Sequence, residues 1–104
     1  MTEILTWNIQ WGKGVDGRVD LKRIADVIRS MGDPDIICLQ EVSRFFVELD
    51  GGTDQVRDLS DLFPDHTCWF GAAVDMIGEK DPHDPRRSFG NMILSRLPVH
   101  CVFR

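Results

Sequence analysis

An asparagine and a glutamate near the ends of two predicted strands are the residues of this chain best suited to chemistry. Asn8 lies near the end of the apolar run 4–9, and Glu41 directly follows the apolar run 36–40. A carboxylate at the mouth of a buried strand needs a partner for its charge, and a hard cation such as Mg²⁺ binds oxygen ligands. The Asn8 amide can orient a phosphate oxygen or a water through its donor and acceptor groups. The pair is therefore a candidate divalent-metal site.

Simpler roles for the same residues stay open at this point. Glu41 could cap the end of its strand or pair with Arg44, and Asn8 could satisfy the backbone of its own turn. Gln10 and Gln40 could extend a polar network at this edge, or they could simply be exposed.

The elements that must position these residues form a strand, helix and strand unit. Residues 4–9 and 35–40 are nearly continuous in hydrophobicity, which predicts two strands that are buried on both faces. Between them, apolar residues recur every three or four positions over residues 20–31, with Asp20 as the predicted N-cap and Gly32 as the stop. A right-handed crossover of this kind brings both C-terminal strand ends to one edge of a parallel pair.

The rest of the chain predicts further helix and strand segments of a single α/β domain. We expect a helix over 53–63, a strand over 66–76 and a strand over 89–95. A polar loop over 78–87 separates the last two, and a final apolar run covers 99–103. Because a domain seldom finishes on an apolar strand, we expect residues 1–104 to be one partial, truncated domain.

Composition excludes several classes of protein. The net charge of −5 argues against binding a polyanion through a basic face, so a cation would have to supply positive charge to a phosphate substrate. Cys38, Cys68 and Cys101 have no zinc-type spacing and are predicted to be reduced core residues. No apolar run reaches the length of a membrane span, and we expect a cytoplasmic location.

Several other residues could have a functional role, but each also has a simpler explanation as a core, loop or exposed residue. Residues 12–14 (Gly-Lys-Gly) lack the spacing of a phosphate-binding loop and are interpreted as a flexible loop. Trp7 and Trp69 are predicted to pack in the core, whereas Trp11 could lie at the rim of a site. His83 could carry a proton, and the arginines at 86–87 could touch a substrate phosphate, although a solvent-exposed loop position is the favoured explanation for all three.

Three segments together resemble the endonuclease/exonuclease/phosphatase superfamily, whose fold is similar to that of DNase I. They are residues 6–9 (Thr-Trp-Asn-Ile), 35–42 (Asp-Ile-Ile-Cys-Leu-Gln-Glu-Val) and 90–98 (Gly-Asn-Met-Ile-Leu-Ser-Arg-Leu-Pro), in the order found in that family. The resemblance implies the N-terminal half of a four-layer α/β sandwich, with a mixed sheet and helices packed on one face. It also implies a metal-dependent hydrolase whose substrate is a phosphate ester of a nucleic acid, a phospholipid or a small molecule.

The resemblance assigns roles residue by residue. Glu41 matches the family's metal ligand for Mg²⁺ or Mn²⁺, and Asn8 matches the asparagine that helps to position the phosphate or the cation. Asn91 and Ser95 match positions that we interpret as structural. The family's later Gly-Asp-x-Asn and Ser-Asp-His segments have no counterpart in the 104 residues. We therefore expect this chain to carry part of the active site and to be inactive alone.

Two non-enzymatic hypotheses remain beside this one. The chain could be a half-domain that associates with itself through an open sheet edge, or it could be a small α/β binding module.

Overall fold

A four-stranded mixed sheet forms the centre of the structure, a computed structural model that describes residues 2–77 and 85–99. The elements are β1 (Ile4–Asn8), a 3₁₀ turn (Gln10–Gly12), α1 (Leu21–Met31), β2 (Ile36–Arg44), α2 (Val47–Asp50), α3 (Gln55–Leu62), β3 (Thr67–Met76) and β4 (Arg87–Ser95). The strand order is β1-β2-β4-β3. Two predicted segments fall mostly outside the described residues. They are the polar loop 78–87, which contains His83, and the run 99–103, which contains Cys101.

The predicted crossover unit is confirmed. β1 and β2 pair in parallel, with Asn8 opposite Gln40. The Asp20 side chain accepts a hydrogen bond from the Arg23 amide and so caps α1, as its position before the first apolar residue predicted. Gly32 ends the helix at a φ of 143°, a backbone conformation that favours glycine.

Helices α1 and α3 cover one face of the sheet, in agreement with the predicted layer arrangement. This face contributes Ile37 and Leu39 from β2 and Met92 and Leu94 from β4, all fully buried. The other buried apolar residues of the core are Ile9, Ile24, Ala25, Ile28, Val42, Val56, Leu59 and Phe63. Burying this surface is the main source of stability in a domain of this size.

The opposite face of the sheet is more exposed than the sequence predicted. Exposed and half-buried residues alternate along β1, and Ile4 is 66% exposed because the strand pairs only with β2 among the described residues. The prediction that β1 is buried on both faces is therefore wrong. Trp69 is half-buried outside the main core cluster, whereas Trp7 packs against that cluster as expected.

Two strand boundaries and one short helix also differ from the sequence prediction. β2 continues through Glu41 to Arg44 because β4 pairs with its second half, and β4 accordingly begins at Arg87. The short helix α2 was not predicted. Its four residues carry no helical repeat that a pattern could detect.

Two of the three cysteines lie among the described residues. Cys38 and Cys68 are both free and half-buried, which fits reduced residues. Across residues 2–77 and 85–99, none of the helices combines the length and the apolar character needed to cross a bilayer.

A close backbone contact at Gly90 joins the last two strands. A Cβ at Gly90 would lie 2.1 Å from the Gly71 carbonyl oxygen and 2.9 Å from the Ala72 Cα. β3 has an irregular register at this point, between Ala72 and Val74. Only glycine leaves room for this approach of the two backbones.

We predict that Gly90→Ala lowers the free energy of unfolding by ~3 kcal/mol, because backbone atoms cannot move aside as a flexible side chain can. Gly71→Ala is the matched control, since a Cβ at Gly71 meets no atom within 4 Å. It should change stability by less than ~0.5 kcal/mol. Urea unfolding of both variants checks this, and equal losses would contradict the described packing.

The Asp35 carboxylate predicts a loss of stability in acid. Its pKa lies below the ordinary value of 3.8 because the carboxylate accepts a hydrogen bond from the Glu3 amide and pairs with Arg96. A carboxyl whose pKa is lower in the folded than in the unfolded chain stabilises the fold fully at pH values above its unfolded pKa. This stabilisation is lost as pH falls through its folded pKa. Asp35→Asn should therefore be less stable than wild type at pH 7, with the difference shrinking below about pH 4. Thermal melts from pH 7 to pH 2 measure this, and a constant difference would contradict it.

Candidate active site

The two residues singled out by the sequence lie at the same edge of the sheet. Asn8 ends β1 directly opposite Gln40, and the Ile9 amide donates a hydrogen bond to the Gln40 carbonyl at 3.1 Å. Glu41 is the next residue of β2. The C-terminal end of β1 therefore meets the middle of β2 here, whereas the predicted crossover placed Glu41 at the C-terminal end of its strand.

A β-bulge in β2 determines where Glu41 lies. Leu39 pairs with Met92 and Val42 pairs with Gly90, so Gln40 and Glu41 together oppose only Asn91 on β4. Leu39 and Val42 are both fully buried. In a regular strand Glu41 would share the face of Leu39, and its carboxylate would enter the core. The extra residue keeps Glu41 out of the core.

Asn8 lies on the face of the sheet that the helices leave uncovered. The Gln40 amide nitrogen donates to the Thr6 hydroxyl at 3.0 Å, which places these two side chains on one face. Asn8 is two residues beyond Thr6 in the same strand and shares its face. With Glu41 displaced from the core side by the bulge, these residues and the exposed Asn91 form a polar patch, which we call the sheet-edge patch. It consists of Asn8, Gln40, Glu41 and Asn91.

The simpler role proposed for Glu41 does not agree with the contacts. Arg44 binds Asp54 through two hydrogen bonds of 2.9 and 3.0 Å, not Glu41. Glu41 also lies inside β2, so it does not cap the end of the strand. Among the described residues, the Glu41 carboxylate has neither an ion pair nor a hydrogen-bond donor.

Asn8 has the local role that was left open for it, and it retains further capacity. Its Oδ1 accepts a hydrogen bond from the Gln10 amide at 3.1 Å, which closes a turn after β1. The side-chain NH₂ group has no acceptor among the described residues. Asn8 can therefore hold its own turn and still donate to a ligand.

The described part of the chain offers few side chains that could hold a metal ion. Within the described ranges no group of three or more His, Cys, Asp or Glu side chains could hold a metal ion. Structural zinc needs such a group, whereas Mg²⁺ often binds through one or two carboxylates and keeps several waters. Among the described residues, the patch contributes one unpaired carboxylate, that of Glu41, while the Asn8 Oδ1 already accepts a hydrogen bond from the Gln10 amide.

Among the described residues, three of the four non-glycine residues with positive φ lie in or beside this patch, and the fourth is Phe45 at 56°. The three are Gln10 at 47°, Trp11 at 45° and Glu41 at 59°. Such conformations cost about 1 kcal/mol or more each and persist where neighbouring contacts enforce them. Trp11 is half-buried and packs on Phe89 at 6.1 Å between ring centroids, which fits its predicted place at a rim.

Asn8 also borders a groove that contains positive charge. Its lining includes Gly12, Lys13 and Arg23, together with Ile24 and Val27 of α1, so the groove runs between the end of β1 and that helix. Arg23 pairs with Asp16 and its hydrogen bond lowers the pKa of that carboxyl to about 2, so this guanidinium is neutralised locally. Lys13 has no ion-pair partner within residues 2–77 and 85–99. It is the cation of this groove that remains available to an anion.

The other predicted phosphate contacts are engaged elsewhere. Arg86 pairs with Asp75, and Arg87 pairs with Glu48, each at 2.8 Å.

Sequence reasoning also missed Gln55, a fully buried polar residue whose side chain reaches the Asn8 and Glu41 segments. No local pattern marks it, because its partners are distant along the chain.

Comparisons with known proteins agree with the resemblance read from the sequence. The model of the endonuclease/exonuclease/phosphatase family matches residues 5–103. A crystal structure of an endonuclease/exonuclease/phosphatase from Beutenbergia cavernae DSM 12333 is similar, with a TM-score of 0.68 and 34% sequence identity. The similarity covers 91% of this chain and 26% of that chain, so this chain spans about a quarter of that protein's length. No curated protein matches the chain. The predicted α/β fold class is thereby confirmed.

We predict that Glu41→Gly does not lower stability. Glycine adopts a φ of 59° without strain, and this offsets its greater freedom in the unfolded chain. The free energy of unfolding should be unchanged or higher by up to ~1 kcal/mol. Gln40→Gly is the control in the same bulge, and it should lose ~1 kcal/mol or more with its hydrogen bond to Thr6. Urea unfolding compares them, and a large loss in Glu41→Gly would mean that this side chain serves the fold.

Proposed function

The chain belongs to the endonuclease/exonuclease/phosphatase family, and from that premise we propose that it contributes to a divalent-metal-dependent hydrolysis of phosphate esters. One observation carries the proposal. The bulge in β2 keeps the Glu41 carboxylate out of the core and, within residues 2–77 and 85–99, without a partner, at the edge where Asn8 ends β1. A fold that strains its backbone to keep a carboxylate unpaired is characteristic of a site rather than of a core.

Each residue has a chemical role in this proposal. Glu41 would hold Mg²⁺ or Mn²⁺, and the bound cation would supply positive charge against the phosphoryl oxygens. Asn8 would donate its free amide hydrogens to a phosphate oxygen while its Oδ1 keeps the turn closed. Lys13, on the bordering groove, would attract the anionic substrate.

The proposed site needs groups in addition to these. The resemblance assigns the water-activating aspartate and the phosphate-binding histidine to segments that the 104 residues do not contain. Groups that act together in such a site fail together when one is removed. We therefore propose that this chain alone is inactive, and that the whole protein acts on a phosphate ester of a nucleic acid, a phospholipid or a small molecule. A cytoplasmic location stays a prediction.

We expect Glu41→Gln, in a full-length protein that contains this chain, to lower Mn²⁺-dependent kcat/KM by ~10²-fold or more. Asn8→Ala should lower it by a similar factor, because one hydrogen-bond donor to the phosphoryl group is lost. Hydrolysis of bis-p-nitrophenyl phosphate measures both effects.

Glu48→Gln is the matched control for charge. Glu48 is an exposed glutamate that pairs with Arg87 and lies outside the sheet-edge patch, so this change should leave kcat/KM within about twofold. Activity of Glu41→Gln equal to that of this control would contradict the assignment of Glu41 as a metal ligand.

Self-association through the edge of β1 is the second candidate function. β1 pairs only with β2 among the described residues, and the exposed Ile4 and Met31 line a groove along this edge. An unpaired apolar edge can add a strand from a second copy.

Light scattering coupled to size-exclusion chromatography tests this second candidate. We expect a dimer that Ile4→Lys converts to monomer, because a charge on the edge strand opposes pairing. A wild-type monomer at high concentration would rule out edge pairing.

A further inference from the structure

Gln55 is a buried polar side chain that the proposed chemistry does not use directly. It is the first residue of α3 and is fully buried. A buried amide is costly unless its groups are hydrogen-bonded. Gln55 meets this requirement with two long-range bonds. Its Nε2 donates to the Trp11 carbonyl at 2.8 Å, and its Oε1 accepts from the Ser43 amide at 3.2 Å.

These two bonds join the two segments that carry the sheet-edge patch. Trp11 follows Asn8 by three residues and has a φ of 45°. Ser43 follows Glu41 by two residues in β2. β1 ends opposite Gln40, so β2 loses its parallel neighbour just before Ser43. Beyond the end of β1, the Gln55 side chain supplies the acceptor for the Ser43 amide.

The base of Gln55 is itself fixed in place. Its neighbour Asp54 caps α3 by accepting a hydrogen bond from the Arg57 amide. The same carboxylate binds Arg44 of β2 with both of its oxygens. The N-terminus of α3 is therefore tied to β2, and Gln55 has little freedom to leave its two partners.

We propose that Gln55 is a positioning residue for the candidate metal site, which it serves by holding the Asn8 and Glu41 segments together through these two hydrogen bonds. The inference rests on the proposed function and adds a residue to it. Gln55 does not touch the substrate or the metal. Its bonds enforce the strained turn at Trp11 and the course of β2 directly after the bulge, and strained conformations persist only where such contacts enforce them.

Gln55→Met is the variant that tests this role, because methionine has a similar length but cannot replace either hydrogen bond. We expect the dissociation constant for Mn²⁺ to rise by about 10- to 100-fold, as it does when groups that orient a metal ligand are removed. Electron paramagnetic resonance, which detects free Mn²⁺, measures this constant on the chain without any assay of hydrolysis.

Val56→Ala is the matched control. Val56 is the next residue of α3, is buried in the core and makes no side-chain hydrogen bond. The Val56→Ala variant should have a lower urea midpoint of unfolding, while its dissociation constant for Mn²⁺ stays within about twofold of the wild-type value. A role of Gln55 in general stability would move the two variants together, whereas a positioning role moves only Gln55→Met in Mn²⁺ affinity.

Gln55→Glu provides a second measurement if the methionine variant does not fold. Glutamate keeps an acceptor for the Ser43 amide but presents an oxygen to the Trp11 carbonyl, so we expect weaker Mn²⁺ binding with β2 intact. Wild-type affinity in a folded Gln55 variant overturns the inference and leaves the proposed function standing. Failure of the proposed function looks different, since Glu41→Gln would then bind Mn²⁺ as well as wild type does.

Discussion

The candidate site depends on one extra residue in β2. Because Leu39 and Val42 are both fully buried although they are three residues apart, the strand must accommodate two residues, Gln40 and Glu41, opposite Asn91 alone. Without the bulge, the alternation of the strand would send a carboxylate into an apolar core, where ionisation is very costly. With it, Glu41 remains near solvent at the edge where β1 ends.

Maintaining this geometry costs stability, and the rest of the structure offsets the cost. Gln10, Trp11 and Glu41 have backbone conformations that few side chains adopt, and together they cost several kcal/mol at about 1 to 3 kcal/mol each. The core between the sheet and helices α1 and α3 opposes this, because burying one large apolar side chain contributes about 1.5–3 kcal/mol. Three of the four described non-glycine residues with positive φ lie in or beside the patch, and the fourth, Phe45, directly follows β2.

The sequence predicted the parts of the structure that follow from local patterns. Helix α1 and its cap at Asp20 were predictable from periodicity and from a single N-cap residue. The second half of β2 was not, because its strand character comes from pairing with β4. The spacing of Leu39 and Val42 indicates the bulge, because a regular strand would place residues three positions apart on opposite faces. No sequence pattern indicates the burial of Gln55, since its side chain is satisfied by two segments far away in the chain.

Paramagnetic broadening of backbone amide signals by Mn²⁺ tests the central claim most directly, because it locates the bound ion without requiring catalysis. At Mn²⁺ concentrations well below that of the protein, the account predicts selective loss of the signals of residues 8–11 and 40–42. Glu41→Gln should restore them. Broadening centred on other carboxylates, such as Asp61 on α3, with the signals of residues 40–42 intact, would contradict the account.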